Sequence, residues 1–527
     1  VHAVQTFELV LLLLGAVVAL QWLAEKVGLP PSSALLVGGG ALAFLPGIPV
    51  IELDPELALV LFLPPLLLDG AYFTAFGRFR RHLPGILSLA VGAVVFTTLV
   101  VGVAVHLILP ILPWPACFAL GAIVSPPDAV AARAVLQRVQ LPRRLQALLE
   151  GESLLNDATG LVLFRFAVAA TLSGVFSPGA AIGQFALLAL GGVAVGIGVG
   201  YLWVWILRRL TNETLVVTTA TLLCWVAYLA GEAVHVSGVI ATVTAGLIFG
   251  WYQHVIMPAA VRLQGNAFWR TLTFCLEALV FILIGSSLRS VLDRAGGLEQ
   301  VLTNLWGPIL CILAAVVLAR FVWVFATDYL LRLLCLAGSK RARPLGERQA
   351  VVLAWTGMRG VVTLAVALTL PADFPGRDFI LVAAFAVILM TVVVQGSTLG
   401  LLIRAVKPED HEPPAKVPLP QAEAAIARAK LAEAERHAYG PDGEVVHPQL
   451  LDMYQKRAAA TEKYARDADG FMDNIRGHFD IMLKALAAGR ATLIRLHRKG
   501  EIEDETLHNL ERDLDLEELG LIYQREG

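Results

Sequence analysis

Between Phe7 and Arg404 the chain is a succession of apolar runs, each close to the roughly 20 residues that cross the hydrocarbon of a bilayer. They centre on residues 7–24, 30–47, 56–75, 83–109, 115–137, 146–172, 180–207, 214–233, 236–252, 267–288, 302–331, 348–371 and 378–404. Inside a bilayer each backbone polar group needs a partner within the chain, so the runs are expected to be helices. The fold class is therefore an all-α polytopic membrane protein of about thirteen transmembrane helices. No basic segment precedes the run at Phe7, so 7–24 is expected to span rather than to be a cleaved signal.

The connecting loops alternate in charge. Lys26, Arg78, Arg80, Arg81, Arg138, Arg143, Arg144, Arg208, Arg209, Arg262, Arg270, Lys340, Arg341, Arg343 and Arg348 fall on one side. The opposite loops are nearly free of basic residues before Arg289, Arg294 and Arg377. The positive-inside rule puts the N-terminus outside and the C-terminus in the cytoplasm, giving a multi-pass protein of the cell membrane. A net charge of −2 gives no sign of nucleic-acid binding. The five cysteines stand singly, with neither CxxC nor a Cys/His cluster, against disulfides and zinc alike.

After Lys407 the composition turns polar. Residues 1–407 are expected to form the membrane domain and 408–527 a cytoplasmic helical tail, joined by a Pro-rich linker from Pro413-Pro414 to Pro418-Leu419-Pro420. Helices are expected at 421–437, 448–467, 471–498 and 502–524. The tail has no nucleotide, phosphate or metal motif and reads as a regulatory or dimer-contact segment whose ligand or partner the sequence does not name.

Chemistry concentrates in Gly151-Glu152-Ser153-Leu154-Leu155-Asn156-Asp157, which opens an apolar run. A charge at bilayer depth costs at least about 2.5 kcal/mol, so such residues mark ion pathways by default. Ser153 and Asp157 are one helical turn apart and share a face with Asn156, whereas Glu152 lies roughly 140° around the helix from Asp157. An oxygen-rich face and a separate carboxylate result, which reads as a cation site. Arg320, in Val317-Leu318-Ala319-Arg320-Phe321-Val322, is too deep to reach water, and Glu152 is its natural partner.

Two runs resist a continuous helix. In Ser125-Pro126-Pro127-Asp128 the paired prolines remove two donors, and Asp128 can cap the helix that restarts there. In Thr356-Gly357-Met358-Arg359-Gly360 glycines bracket an arginine able to neutralise the negative end of a half-helix or to pair with a carboxylate. One interrupted span in each half points to inverted repeats, roughly 82–172 and 300–406, around a midplane site, with the remaining helices as scaffold and dimer contact. Asp69 follows a third proline pair, Pro64-Pro65, and reads either as facing a cavity or as a helix-end residue at the interface.

With these residues in place, the membrane part, about 7–404, resembles the monovalent cation/proton antiporters, in the branch of bacterial NhaP-type and animal sodium/proton exchangers. Gly151-Glu152-Ser153 with Asn156-Asp157 matches the family's ion-site helix, Gly357-Met358-Arg359-Gly360 its second broken helix, and Arg320 the arginine that pairs with the ion-helix glutamate. The resemblance implies a homodimer in the lipid bilayer and exchange of Na+, K+ or Li+ for H+ in pH homeostasis, without a cofactor beyond the transported ions. It implies a cation bound by Asp157, Ser153, the Pro127 carbonyl and Asp69, with Asn156 organising the site. Pro127-Asp128-Ala129 stands where the family has Thr-Asp-Pro, and Asp69 where it usually has glutamate. Asn156-Asp157, in place of two aspartates, implies electroneutral exchange.

Burial raises a carboxylate's proton affinity and a bound cation lowers it, so one group can hold either ion, the expected competition at Asp157. The rivals are weaker. An organic-anion carrier wants a cationic cradle, a channel wants a ring of ligands from identical subunits, and an intramembrane hydrolase using Ser153 lacks a deep base. A transporter, not an enzyme, is expected.

Overall fold

A computed structural model describes residues 2–45, 55–128, 141–174, 178–339, 343–410, 412 and 416–526. Arg138, Lys340 and Arg341 of the loop-charge argument, Pro413-Pro414 of the linker and the restart of the first broken span after Asp128 lie outside them. Among the described residues the membrane part is helical throughout. Its helices are α1 (His2–Val27), α2 (Pro31–Ala43), α3 (Pro55–Phe73), α4 (Phe76–Ile108), α5 (Trp114–Val124), α6 (Arg143–Ser173) and α7 (Pro178–Leu207). There follow α8 (Glu213–Ala233), α9 (Gly238–Ile256), α10 (Ala259–Arg294), α11 (Leu298–Leu336), α12 (Glu347–Trp355), α13 (Val361–Leu368) and α14 (Arg377–Val406).

Every apolar run carries a helix, and ten helices among the described residues are long and apolar enough to cross a membrane. The shorter ones have local causes. In α5 the helix stops at Val124 because Pro126 and Pro127 follow; α12 and α13 are separated by the extended Gly357–Gly360 segment. The prolines of α3, Pro64 and Pro65, are accommodated inside a continuous helix. Wider π turns interrupt α4 at Ser88–Ala93, α11 at Val301–Leu305 and α14 at Thr391–Gln395.

Two of the buried clusters in this unit separate by helix, while a third and larger one draws on nearly all of them, α6 and α8 included. The first contains parts of α4, α5, α6, α11, α13 and α14, with Leu120, Val124, Val316, Val366 and Val387 buried in one cluster. The second groups parts of α3, α7, α8, α9 and the start of α10 around Leu223, Cys224, Ala227 and Phe249. Helix α6 is where the two meet, because it packs on α4 and α5 and also on α3 and α9.

The chain separates into two compact units, Val1–Glu412 and Pro413–Gly527. Residues 408–412, expected with the tail, belong to the membrane unit for an electrostatic reason. Asp410 pairs with Arg143 at 2.8 Å, Glu409 with Arg348 at 2.7 Å, and Glu412 lies 2.8 Å from His82. The second unit holds α15 (Leu419–Ala438), α16 (Pro448–Arg466), α17 (Ala468–Arg498) and α18 (Asp504–Glu526). Within it α15 packs on α16 and α17 on α18, the last pair tied by Arg490 to Asp515 and Glu518.

Candidate functional site: an ion-site helix beside two crossed, broken helices

The interruptions of the two broken spans meet. The Asp128 amide donates to the Met358 carbonyl at 2.6 Å, so the irregular backbones satisfy one another. The charges are shared across the crossing. Arg359 donates through Nε to the Val124 carbonyl at 2.8 Å and through Nη2 to the Ser125 carbonyl at 3.3 Å, which are the free acceptors at the C-terminal end of α5. Asp128 in turn lies against Gly360, the residue that opens α13, where any Cβ would overlap its carboxylate. Each broken span thus places a charge at the end of the other's half-helix, in the sense the helix dipole favours. The sequence expectation put Asp128 at the start of its own continuing helix, a segment outside the described residues.

The crossing is fixed by hydroxyl groups that sequence reading passed over. The Arg359 amide donates to Thr391 Oγ1 at 3.1 Å, and Thr98 Oγ1 donates to Ser125 Oγ at 3.1 Å. Thr391 belongs to the π turn of α14, so the wider turn serves to present this acceptor. Single threonines in apolar spans carry no periodic signal, and only the fold reveals their partners.

Helix α6 lies alongside. Gly160 sits against the Pro126 ring, a contact in which a Cβ has no room. Asn156, fully buried, donates its Nδ2 to the Pro127 carbonyl. That bond fixes the amide orientation, since a carbonyl can only accept, and leaves Oδ1 with no hydrogen bond among the described residues. Ser153 and Asp157, one turn apart, are half-buried, while Glu152 and Asn156 between and beside them are closed off. Ser153 and Asp157 are thus the polar residues of this stretch that are not closed off. Among the described residues no hydrogen bond reaches the Asp157 carboxylate, and Asp128 is the charge whose field acts on it.

Glu152 points the other way. Arg320 of α11 grips it with both terminal nitrogens, Nη1 to Oε1 at 2.6 Å and Nη2 to Oε2 at 2.9 Å, both residues at most 3 % exposed. Its Nε donates to the Leu353 carbonyl at 3.2 Å in the last turn of α12. The guanidinium thus joins α6 to the second broken span.

Asp69 is placed elsewhere. It is buried on α3 and accepts from Trp269 Nε1 of α10 at 3.0 Å. The hydrogen bond joins two helices of the second packing group. Two further charges were missed by the sequence reading. Asp328 accepts from the amides of Leu345 and Gly346, which start α12, and Arg165 of α6 pairs with Glu232. Arg165 was detectable, as the one charge in the apolar stretch that follows Asp157 on its helix.

Comparison with known proteins agrees with this geometry. The sequence profile of the family described as "Sodium/hydrogen exchanger, transmembrane" matches residues 9–405. The chain is 32% identical over 520 residues to the uncharacterized Na(+)/H(+) exchanger YjcE of Escherichia coli, covering 90% of this chain and 91% of that one. It is 35% identical over 424 residues to the sodium, potassium, lithium and rubidium/H(+) antiporter of Bacillus pumilus, covering 76% of this chain and 61% of that protein. The fold matches that of the sodium proton antiporter MjNhaP1 from Methanocaldococcus jannaschii with a TM-score of 0.63 at 21% identity, over 78% of this chain and 100% of that one. Crossed broken spans beside a Glu-Ser-Asn-Asp helix, with a profile match over nearly the whole membrane unit, make this chain a member of the transmembrane sodium/hydrogen exchanger family.

Proposed function

We propose that the protein exchanges Na+ for H+ across the membrane by alternating access, with proton and cation competing for Asp157. The observation that carries the reading is the half-buried pair Ser153 and Asp157 on α6, beside a crossing whose own charges are already engaged. A carboxylate that accepts no hydrogen bond among the described residues is suited to bind a proton at one time and a cation at another. A hard cation wants several oxygens, which Asp157, Ser153, the second lone pair of the Pro127 carbonyl and water supply. Asn156 holds that carbonyl in place, so its role is to organise the site.

The finer features belong to the same proposal. One cation for one proton makes the exchange electroneutral. Helices α4, α5, α6 and α11 to α14 carry the ion, and the other helices form a scaffold through which two copies pair. Basic loops put the C-terminal unit in the cytoplasm of a cell membrane, where it regulates transport. Asp69, held by Trp269, contributes to the cation's approach from α3. K+ and Li+ are alternative substrates of the same oxygen set.

Proton flux in vesicles, driven by added Na+ or K+, tests the reading. Asp157→Asn should abolish cation-driven proton movement in a folded protein, and normal exchange by that variant would overturn it.

A further inference from the structure

Arg165 lies two turns beyond Asp157 on α6, about 12 Å toward its C-terminal end at 1.5 Å per residue, within Leu163-Phe164-Arg165-Phe166-Ala167. Its ionic partner among the described residues is Glu232, near the C-terminal end of α8, with Nη2 3.5 Å from Oε2. The Arg165 side chain is 52% exposed and that of Glu232 34%, so the pair is a partly solvated contact near the end of the span. Helix α6 contributes to the cluster around the broken spans and α8 to that of the second group, and both also feed the larger shared core.

The halves of the pair are anchored differently. Glu232 is held in the tight turn between α8 and α9, where its other oxygen, Oε1, accepts from the Gly238 amide at the start of α9 at 3.4 Å. The Val236 amide closes the same turn on the Gly231 carbonyl at 3.0 Å, and His235 adopts a left-handed φ of 57° to allow it. The carboxylate is thus part of the scaffold. Arg165 has no second polar partner among the described residues and travels with the ion-site helix.

We propose that Arg165 and Glu232 form a latch that fastens the outer half of the ion-site helix to the scaffold and must open each time the site is exposed to the outside. The proposal rests on the alternating-access reading above. A contact present in one state and absent in the other shifts the balance between them by the difference in its free energy. Loosening it should populate the state open to the outside, and an apparent affinity scales with the fraction of protein in the competent state.

The test compares full-length protein in right-side-out and inside-out vesicles, with Na+ as substrate. Glu232→Gln should raise the apparent affinity for external Na+ and lower that for cytoplasmic Na+, moving their ratio several-fold. Arg165→Gln should move it in the same direction, and the double variant no further than either single one. The charge exchange Arg165→Glu with Glu232→Arg should bring the ratio back toward wild type. An unchanged ratio in transport-competent Glu232→Gln protein, or additive shifts in the double variant, would overturn the latch. If Arg165→Gln fails to insert, Glu232→Gln and the charge exchange still decide it. Absence of Na+-driven proton flux in the unaltered protein would instead overturn the exchange reading itself.

Discussion

Arg320 holds Glu152 through two parallel hydrogen bonds of 2.6 and 2.9 Å, in a pocket that excludes water from both. Breaking such a buried pair costs roughly 3–5 kcal/mol, because the remaining charge is left without compensation. Glu152→Gln and Arg320→Met should each lower the melting temperature markedly. Replacing both with apolar residues of similar volume should recover much of the loss, since the desolvation cost disappears along with the attraction. A thermal double-mutant cycle measures the coupling, and additive losses would show that the contact is energetically idle.

Gly360 and Asp128 provide a second coupled pair. A methyl group at Gly360 would overlap the aspartate, so Gly360→Ala should destabilise by about 1–3 kcal/mol, the usual cost of overpacking. In an Asp128→Ala background the same change should cost less, because the carboxylate that it meets is gone. Equal costs in the two backgrounds, measured by thermal melting, would mean that the Asp128 carboxylate does not lie against Gly360.

If proton and cation compete at Asp157 as proposed, the pH profile of transport is bell-shaped. At low pH the proton excludes the cation, and at high pH no proton is available for the return step. Both limbs report macroscopic values of the site rather than of one residue. Tenfold more Na+ should move the acid limb toward lower pH by up to about one unit, since a tenfold change in ligand is worth 1.4 kcal/mol by mass action. Proton-flux profiles at several Na+ concentrations check this, and a fixed acid limb would point to a proton sensor elsewhere.

The acidic residues after α14 mark where the chain can be shortened. A protein ending after Glu412 keeps the ties to His82, Arg143 and Arg348, and should exchange ions and melt as the full-length membrane unit does. One ending after Lys407 should still transport but melt slightly lower. Partial burial works to raise the proton affinity of Asp410, but its hydrogen bond and charge pairing with Arg143 outweigh this and hold it below the usual aspartate range. A depressed carboxyl stabilises above its free pKa, near about 3.9, and loses that contribution as pH falls through its lower bound value. The melting difference between wild type and Asp410→Asn should therefore be constant at neutral pH and vanish only under strong acid. A difference that disappears between pH 5 and 7 would contradict the assignment.

The sequence by itself determined everything that depends on local pattern. Span lengths, the proline and glycine interruptions and the common face of Ser153 and Asp157 follow from helical periodicity, which is short-ranged and written in consecutive residues. The Glu152–Arg320 pair was also legible, because two deep charges of opposite sign in apolar runs have few alternatives. Tertiary structure alone decided partners that are carbonyls, hydroxyls or distant side chains. Arg359 was open to a half-helix end or a carboxylate, and the packing chose the first, the open carbonyls of α5; Asp128 was turned toward Gly360, Asp69 toward Trp269, and Arg165 toward Glu232. These outcomes rest on how helices far apart in the chain cross. A backbone carbonyl freed at a helix end looks the same in sequence as one that is bonded, and only the crossing determines which charge reaches it.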